Sequence, residues 1–325
     1  RIAIPGRGIN CNLWVVTKDG SQFWQLTTYA TSSNPKGVIH PQFSHDGTKL
    51  LWAERLSKKK GTPWGEWALK VADFVIDDYG CSLKNIQTYQ PGDAVRFYES
   101  HAFSSDDTKI LFSGNLVLNQ LESGLDIYEL DLETQKLVRL TDTFEDWDEH
   151  AHYSPDGQKI AWMSSTNLGD LGITFEDLQM NTWGLKLKTE LWIMEKDGSG
   201  KQQLTHFNEP EHPDYVGGQV IVSDSSWGPD GTRIVATLAY KDLRGYHSKI
   251  VLIELDFKVM KASLEISPSL DVGFLILDIS NDHKLTVAVW YPTIDAPQPY
   301  NYQDPQETVG MVAFEGEPDQ KNGCL

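Results

Sequence analysis

Tyr153-Ser154-Pro155-Asp156-Gly157-Gln158-Lys159-Ile160 is one of four stretches built alike. The others are Phe43-Ser44-His45-Asp46-Gly47-Thr48-Lys49-Leu50, Phe103-Ser104-Ser105-Asp106-Asp107-Thr108-Lys109-Ile110 and Trp227-Gly228-Pro229-Asp230-Gly231-Thr232-Arg233-Ile234. Each runs from an aromatic residue through a turn to a basic residue and the first apolar residue of a strand, which predicts a β-hairpin. Asp-Gly supplies the positive φ angles that such turns need. The interval from aromatic to Leu or Ile is the same in all four, so the pattern is a repeat.

A second pattern alternates with the first. It runs from Leu13-Trp14-Val15-Val16 to Leu26-Thr27, from Asp126-Ile127-Tyr128-Glu129-Leu130 to Leu140-Thr141, and from Leu191-Trp192-Ile193-Met194 to Leu204-Thr205. Strands of alternating apolar and polar residues separated by turns such as Asp19-Gly20 and Asp197-Gly198 again predict a hairpin. Two hairpins make a four-stranded antiparallel unit that recurs about every 50 to 75 residues, the spacing of propeller blades with loop insertions. One such sheet cannot bury both faces, whereas sheets packed radially can, with the opening aromatics filling the space between them.

The fold class expected is therefore all-β, a six-bladed β-propeller of four-stranded antiparallel blades in a single domain over residues 1–325, with the length also compatible with seven. Arg1 to Ile4 reads as the second strand of an incomplete first blade. Blade two is expected over about 40–92, blade three over 98–141, blade four over 148–206 and blade five over 222–258, with Ser248–Asp256 as its third strand. A weaker sixth copy starts at Ile279-Ser280-Asn281-Asp282-His283-Lys284-Leu285, with Val309–Phe314 as a candidate third strand. The polar tail 315–325 is expected to be loosely held.

The 325 residues carry 11 Trp, 12 Tyr and 12 Phe, enough for a large core. No run of about 18 apolar residues occurs to span a bilayer as a helix. The net charge of −18 argues against nucleic acid as partner, since binding a polyanion needs a surplus of Lys and Arg. A divalent cation or a basic partner fits that charge better, and so does simple solubility. Cys11, Cys81 and Cys324 are too few for a disulfide scaffold. A Cys11–Cys324 bridge near the two ends and three free thiols both remain open.

The repeats resemble the TolB-type propeller, most closely in Tyr153–Trp162 and Leu191–Thr205. That resemblance implies a periplasmic or extracellular, monomeric scaffold that binds a protein segment or a glycan. Peptidases with related propellers carry a Gly-x-Ser-x-Gly elbow, which the sequence does not contain.

Strand order puts the starts of the first strands, and the loops around them, on one face, and the histidines fall there. His40 and His150 each precede their aromatic by three residues, Asp224 takes the same place before Trp227, and His101 and His152 lie one or two residues before theirs. Radial packing would carry all five to one point, which suits a divalent metal. Asp148 and Glu149 are candidate partners that orient an imidazole. The placement is similar to that in oligogalacturonate lyases, where a His-x-x-aromatic and a His-x-His supply metal ligands. Here the matching residues are His40-Pro41-Gln42-Phe43 and His150-Ala151-His152, while Trp147 stands where those lyases have Gln.

The lyase resemblance implies one divalent cation, Mn or Ca, and an acidic glycan as substrate. A neutral His or a Lys would remove the proton beside a uronate carboxylate, and Arg96, Arg55 and Arg244 are candidate cations for it. Two insertions lie on the same face. Arg55–Trp67 places Trp64 and Trp67 beside a basic run, suited to stacking on sugar or to packing on the blade. Ser164–Glu190, with Trp183, is a candidate lid or partner-binding loop. Trp64, Trp67, Arg96 and Trp183 are thus the candidate ligand-binding residues. Asp271 and Asp278 are weaker candidates from blade six, and His45, His206, His212, His247 and His283 read as surface residues. Two functions stand: a binding scaffold, and a metal-dependent polysaccharide lyase.

Overall fold

The computed structural model describes residues 12–17, 20–28, 37–58, 61–93, 95–242 and 245–256, and the strand segments 261–263, 272–279, 285–292, 298–301 and 309–314. The chain divides into two compact units, Arg1–Leu264 and Glu265–Leu325. Cys11, Cys324, Arg244, Asp271, the first four residues and the tail from 315 lie outside the described residues, and Cys81 is a free thiol.

Among the described residues, the first unit is all-β apart from one short insertion. It opens with a hairpin of β1 (Trp14–Val16) and β2 (Phe23–Gln25). Four four-stranded antiparallel sheets of consecutive strands follow. They are β3–β6 (Gly37–Phe43, Lys49–Ser57, Glu66–Asp77, Gly80–Tyr89) and β7–β10 (Tyr98–Phe103, Lys109–Gly114, Asp126–Asp131, Leu137–Arg139). Next come β11–β14 (Asp148–Tyr153, Lys159–Ser164, Glu190–Glu195, Gln202–Gln203) and β15–β18 (Gln219–Trp227, Arg233–Asp242, Gly245–Asp256, Lys261–Ser263). The first strand of each sheet packs against the first strand of the next, β3 on β7, β7 on β11 and β11 on β15. That inner-strand contact is the packing of propeller blades.

Both sequence patterns have a hydrogen-bonding cause. In the first, the serine hydroxyl donates to the turn aspartate, Ser44 to Asp46 at 2.7 Å, Ser104 to Asp106 at 2.6 Å and Ser154 to Asp156 at 2.6 Å. The same hydroxyl accepts from the backbone N–H of Lys49, Lys109 or Lys159 as the chain returns. Gly47, Gly157 and Gly231 take positive φ, and Asp107 takes it in the third copy, at 57°. In the second pattern, the closing threonine accepts from the backbone N–H at the other end of its hairpin, Leu13 to Thr27, Ile127 to Thr141 and Leu191 to Thr205, at 2.8 to 2.9 Å.

The strand-ending aromatics seam neighbouring blades. Tyr153 donates its hydroxyl to Glu129 of the preceding blade at 2.6 Å, and the Trp227 indole donates to the backbone carbonyl of His152 at 3.1 Å. Phe103 is buried. Phe43 is 48% exposed and meets Phe74 of its own blade instead, with ring centroids 5.0 Å apart. Buried Leu51, Trp67, Phe97, Phe112, Leu125, Trp147 and Met163 form one core across the second, third and fourth blades.

The second unit holds a four-stranded sheet of β19 (Val272–Ile279), β20 (Leu285–Pro292), β21 (Gln298–Asn301) and β22 (Val309–Phe314). β19 and β20 form the expected hairpin. Val309–Phe314 is the fourth strand in chain order, where a third was expected, and it pairs parallel to β19. The last sheet therefore departs from the up-and-down order of the others, because the chain crosses over before β22 returns to the centre of the sheet.

Candidate metal centre

Each of the four inner strands β3, β7, β11 and β15 carries a β-bulge near its middle. The ladder shifts between Ile39 and Gln42, between Ser100 and Ala102, between Glu149 and His152, and between Ser223 and Ser225. A bulge inserts one unpaired residue and re-aims its side chain. The bulges hold His40, His101, His150 and Asp224. His101 is one place out of step with His40 and His150 in the repeat, and the bulge of β7 falls one residue later, which restores it to the same region. His40 and His150 adopt φ of 49° and 56°, a conformation that a side chain larger than glycine takes at a cost.

The bulged residues meet around Glu99. Its Oε1 lies 3.4 Å from His40 Nε2 and 3.4 Å from His150 Nε2, and His150 Nε2 is 3.9 Å from Glu149 Oε2. The other nitrogen of His150, Nδ1, is 2.9 Å from Asp224 Oδ1. The rings of His40 and His101 are 6.4 Å apart between centroids, and those of His40 and His150 5.2 Å. Three sets of donor atoms lie within 4.8 Å of one another: His40, His150 and Asp224; His40, Glu99 and His101; Glu99, Glu149 and His150.

Two buried atoms here lack a hydrogen-bond partner, Glu99 Oε1 and His150 Nδ1. The approach of Asp224 to Nδ1 is close but does not have the angle of a hydrogen bond. A buried carboxylate oxygen with no donor is costly, and nitrogen and oxygen donors gathered around it are the set that divalent transition metals take. The residues therefore fit a divalent cation.

Burial and mutual charge shift the titrating groups of this cluster. Burial opposes ionisation of Glu99, but the imidazoles of His40 and His150 outweigh it and hold its pKa below the usual range. Burial, then the charge of Glu99, pushes Glu149 well up. Burial works against a charged His150, yet Asp224 and Glu99 raise its pKa well above the ordinary imidazole value. His101 is driven well down by burial and by His150 and His40, which leaves it neutral. His152 falls to about 4 for the same reasons.

Neighbouring groups fix the donors. Ser113 Oγ lies 2.5 Å from His101 Nε2, and the Trp147 indole donates to Glu149 Oε2 at 2.6 Å. Ser100 donates its hydroxyl to the carbonyl of His40 at 2.9 Å, tying one bulge to the next blade.

Of the five metal candidates from sequence, His40, His101, His150 and Asp224 come together. His152 lies near enough to feel their charge but belongs to none of the three donor sets. Glu99 was not among the candidates, although Glu99 and Glu149 each stand four residues before their aromatics, Phe103 and Tyr153. Glu149, expected as an outer partner, sits among the donors. Asp148 is buried away from them, accepting from Thr143 Oγ1 and Trp162 Nε1 at 2.8 and 3.1 Å, and burial raises its pKa to about 6.

The ligand-binding candidates need correction. Trp67 is fully buried and donates its indole N–H to the Trp64 carbonyl, so its face is not offered to a sugar. Arg55 is buried with its guanidinium 5.9 Å from the Trp67 ring centre, which removes it from the cations facing a substrate. Trp64 and Trp183 are half-buried in one aromatic cluster, with ring centroids 6.4 Å apart and Trp147 between them at 5.7 and 4.8 Å. Arg96 is half-buried beside Tyr98 and Glu122, both of whose pKa values burial raises, with the Arg96 charge offsetting only part of that rise. The Ser164–Glu190 insertion holds α1 (Phe175–Met180), capped by Thr174 and Asp177, and a 3-10 turn at Trp183–Leu185. Its Leu178 and Leu187 join the core under Trp147, while Met180 and Leu185 stay exposed.

No protein-family model matches the chain, and no curated protein matches it by sequence. Among solved structures it is similar to a puromycin hydrolase (14% identity, TM-score 0.46), covering 85% of this chain and 37% of that one. It is similar also to an oligogalacturonate lyase from Vibrio parahaemolyticus (14%, TM-score 0.44), covering 78% of this chain and 58% of that one. An oligogalacturonate lyase in complex with manganese matches at 13% and a TM-score of 0.36, covering 79% of this chain and 74% of that one.

Proposed function

We propose that this chain is a metal-dependent propeller acting on an acidic saccharide, by the β-elimination that a polysaccharide lyase performs. The observation that carries the reading is the gathering of bulge residues from four successive blades, with His40, His101 and His150 around Glu99 and Asp224 against His150. His40, Glu99, His101, Glu149 and His150 would hold a divalent cation, with Asp224 against His150. Such a cation would neutralise a uronate carboxylate and acidify the adjacent C–H. His152 lies beside the donors, outside every donor set, and is kept neutral by burial, which makes it our candidate for accepting the proton. The Trp147 indole holds Glu149 in place, and the His40 and Ser100 link holds neighbouring blades in register.

The test is incubation of oligogalacturonate with the Mn(II)-loaded protein, following ultraviolet absorbance of an unsaturated uronate. Rising absorbance that is lost in His152→Gln with metal still bound supports the reading; flat absorbance from loaded protein overturns it. A second reading, a TolB-type scaffold that recognises a protein segment or glycan without catalysis, is favoured by the exposed Met180 and Leu185 on the insertion beside the site. Under either reading we propose a monomer working in the periplasm or outside the cell.

A further inference from the structure

We propose that the centre takes two divalent cations, with the Glu99 carboxylate shared between them. The inference rests on the metal-dependent reading above and goes beyond it in number of ions, in the role of Glu99 and in the charge of the ligand admitted.

Two of the three donor sets, His40 with Glu99 and His101, and Glu149 with Glu99 and His150, have Glu99 alone in common. A carboxylate has two oxygens and can serve an ion with each, whereas a neutral imidazole lends one nitrogen to one ion. Dividing the donors in this way uses five residues without asking any histidine to serve twice. The remaining set, His40, His150 and Asp224, draws a histidine from each of the other two and is the one-ion alternative.

The two nitrogens of His150 favour the divided arrangement. Nε2 faces the carboxylates, 3.4 Å from Glu99 and 3.9 Å from Glu149, while Nδ1 faces Asp224 at 2.9 Å. Asp224 then stands beside the nitrogen turned away from the carboxylates, where its charge favours that orientation of the ring without a hydrogen bond to it. The His101 ring is held in place by Ser113 Oγ at 2.5 Å from its Nε2. Glu99 Oε1, buried, 3.4 Å from the Nε2 atoms of both His40 and His150 and without a hydrogen bond, is an atom that a bound ion would satisfy, and the second carboxylate oxygen is left for the other ion.

Charge affects how tightly the centre holds an anion. Glu99, Glu149 and Asp224 bring three negative charges once ligands are ionised, so a single dication leaves the three carboxylates in excess. A second dication reverses the sign. A uronate is thus held more tightly when both ions are present than when one is.

The experiment is titration of the metal-free full chain with MnCl2, with stoichiometry read by calorimetry and by elemental analysis after desalting, and electron paramagnetic resonance of the loaded protein. Two ions per chain with the broadened, exchange-coupled spectrum of a bridged Mn(II) pair are expected. One ion per chain overturns the second site and leaves the proposed function standing; none overturns both. Two ions with uncoupled spectra overturn the bridge. Glu149→Gln, checked for folding by circular dichroism, is expected to bind one ion, and retention of two coupled ions in that variant would remove Glu149 from the centre.

Discussion

The inner strand of each blade has two unlike ends. At the turn end, serine and aspartate close the same hydrogen bonds in the second, third and fourth blades, and the buried Ser44, Ser104 and Ser154 are all partnered. At the bulge end, the residues differ from blade to blade, two of them take positive φ, and Glu99 Oε1 and His150 Nδ1 are left buried without hydrogen-bond partners. What repeats is what folds the blade. What varies at a fixed place in the repeat, at a cost in strain and unmet polar atoms, is what the blade is used for.

The largest effect expected from that contrast is at the bulge. His150→Ala removes a donor from two of the three sets and should weaken Mn(II) binding by more than the about 100-fold that loss of an outer partner can cost. Calorimetric titration measures it. An affinity within threefold of the parent would mean that the bulge end is structural like the turn end.

Trp147→Phe is a finer probe. It keeps an aromatic ring in the cluster with Trp64 and Trp183 but deletes the N–H that Glu149 Oε2 accepts. Metal affinity should fall about 10-fold, the lower end for an outer hydrogen bond, with little change in the urea midpoint. A shifted midpoint with unchanged affinity would make the indole a packing group only.

Much of this contrast was legible in the residues. Aromatic-to-Leu spacing announced the hairpins, and Leu-Thr announced the threonine that closes each second hairpin, because both depend on local hydrogen bonds with a fixed sequence interval. Glu99 was not legible from a search for repeated histidines, since its blade offers Ser100 where the others offer His40 and His150. Nor was the compensation at His101, because a one-residue delay in a bulge leaves no mark in composition. Trp67 and Arg55 were misplaced for another reason: a basic run beside tryptophans reads alike whether the rings face solvent or the next blade. Burial between blades is a non-local property, and the repeat period does not encode it.

At the turn end the expected effects are smaller and concern stability. Ser154→Ala removes the hydroxyl that donates to Asp156 and accepts from the Lys159 N–H, in a residue 6% exposed. About 1 kcal/mol is expected, read as a lower urea midpoint with unchanged slope and unchanged metal affinity. A change in affinity would show that the two ends are coupled through the six-residue strand.

The smallest effect separates the ends by pH. Hydrogen bonds from Ser104 and then Thr108 hold the pKa of Asp106 at about 2, below the ordinary carboxylate value of 3.8. A carboxyl whose folded pKa is depressed binds its proton more readily when unfolded, so its contribution is complete above about pH 4 and drains away as pH falls toward 2. Asp148, in the inner strand that carries His150, has the opposite sign: burial raises it to about 6, so the folded state takes up its proton first and gains relative stability as pH falls from 6 to 4. Asp106→Asn should therefore flatten the acid limb of stability between pH 4 and 2 and leave the region from 6 to 4 as it was, while Asp148→Asn should do the reverse. Urea denaturation at stepped pH reads both, and an Asp106→Asn curve parallel to the parent below pH 4 would remove the turn aspartate from the forces that hold the hairpin closed.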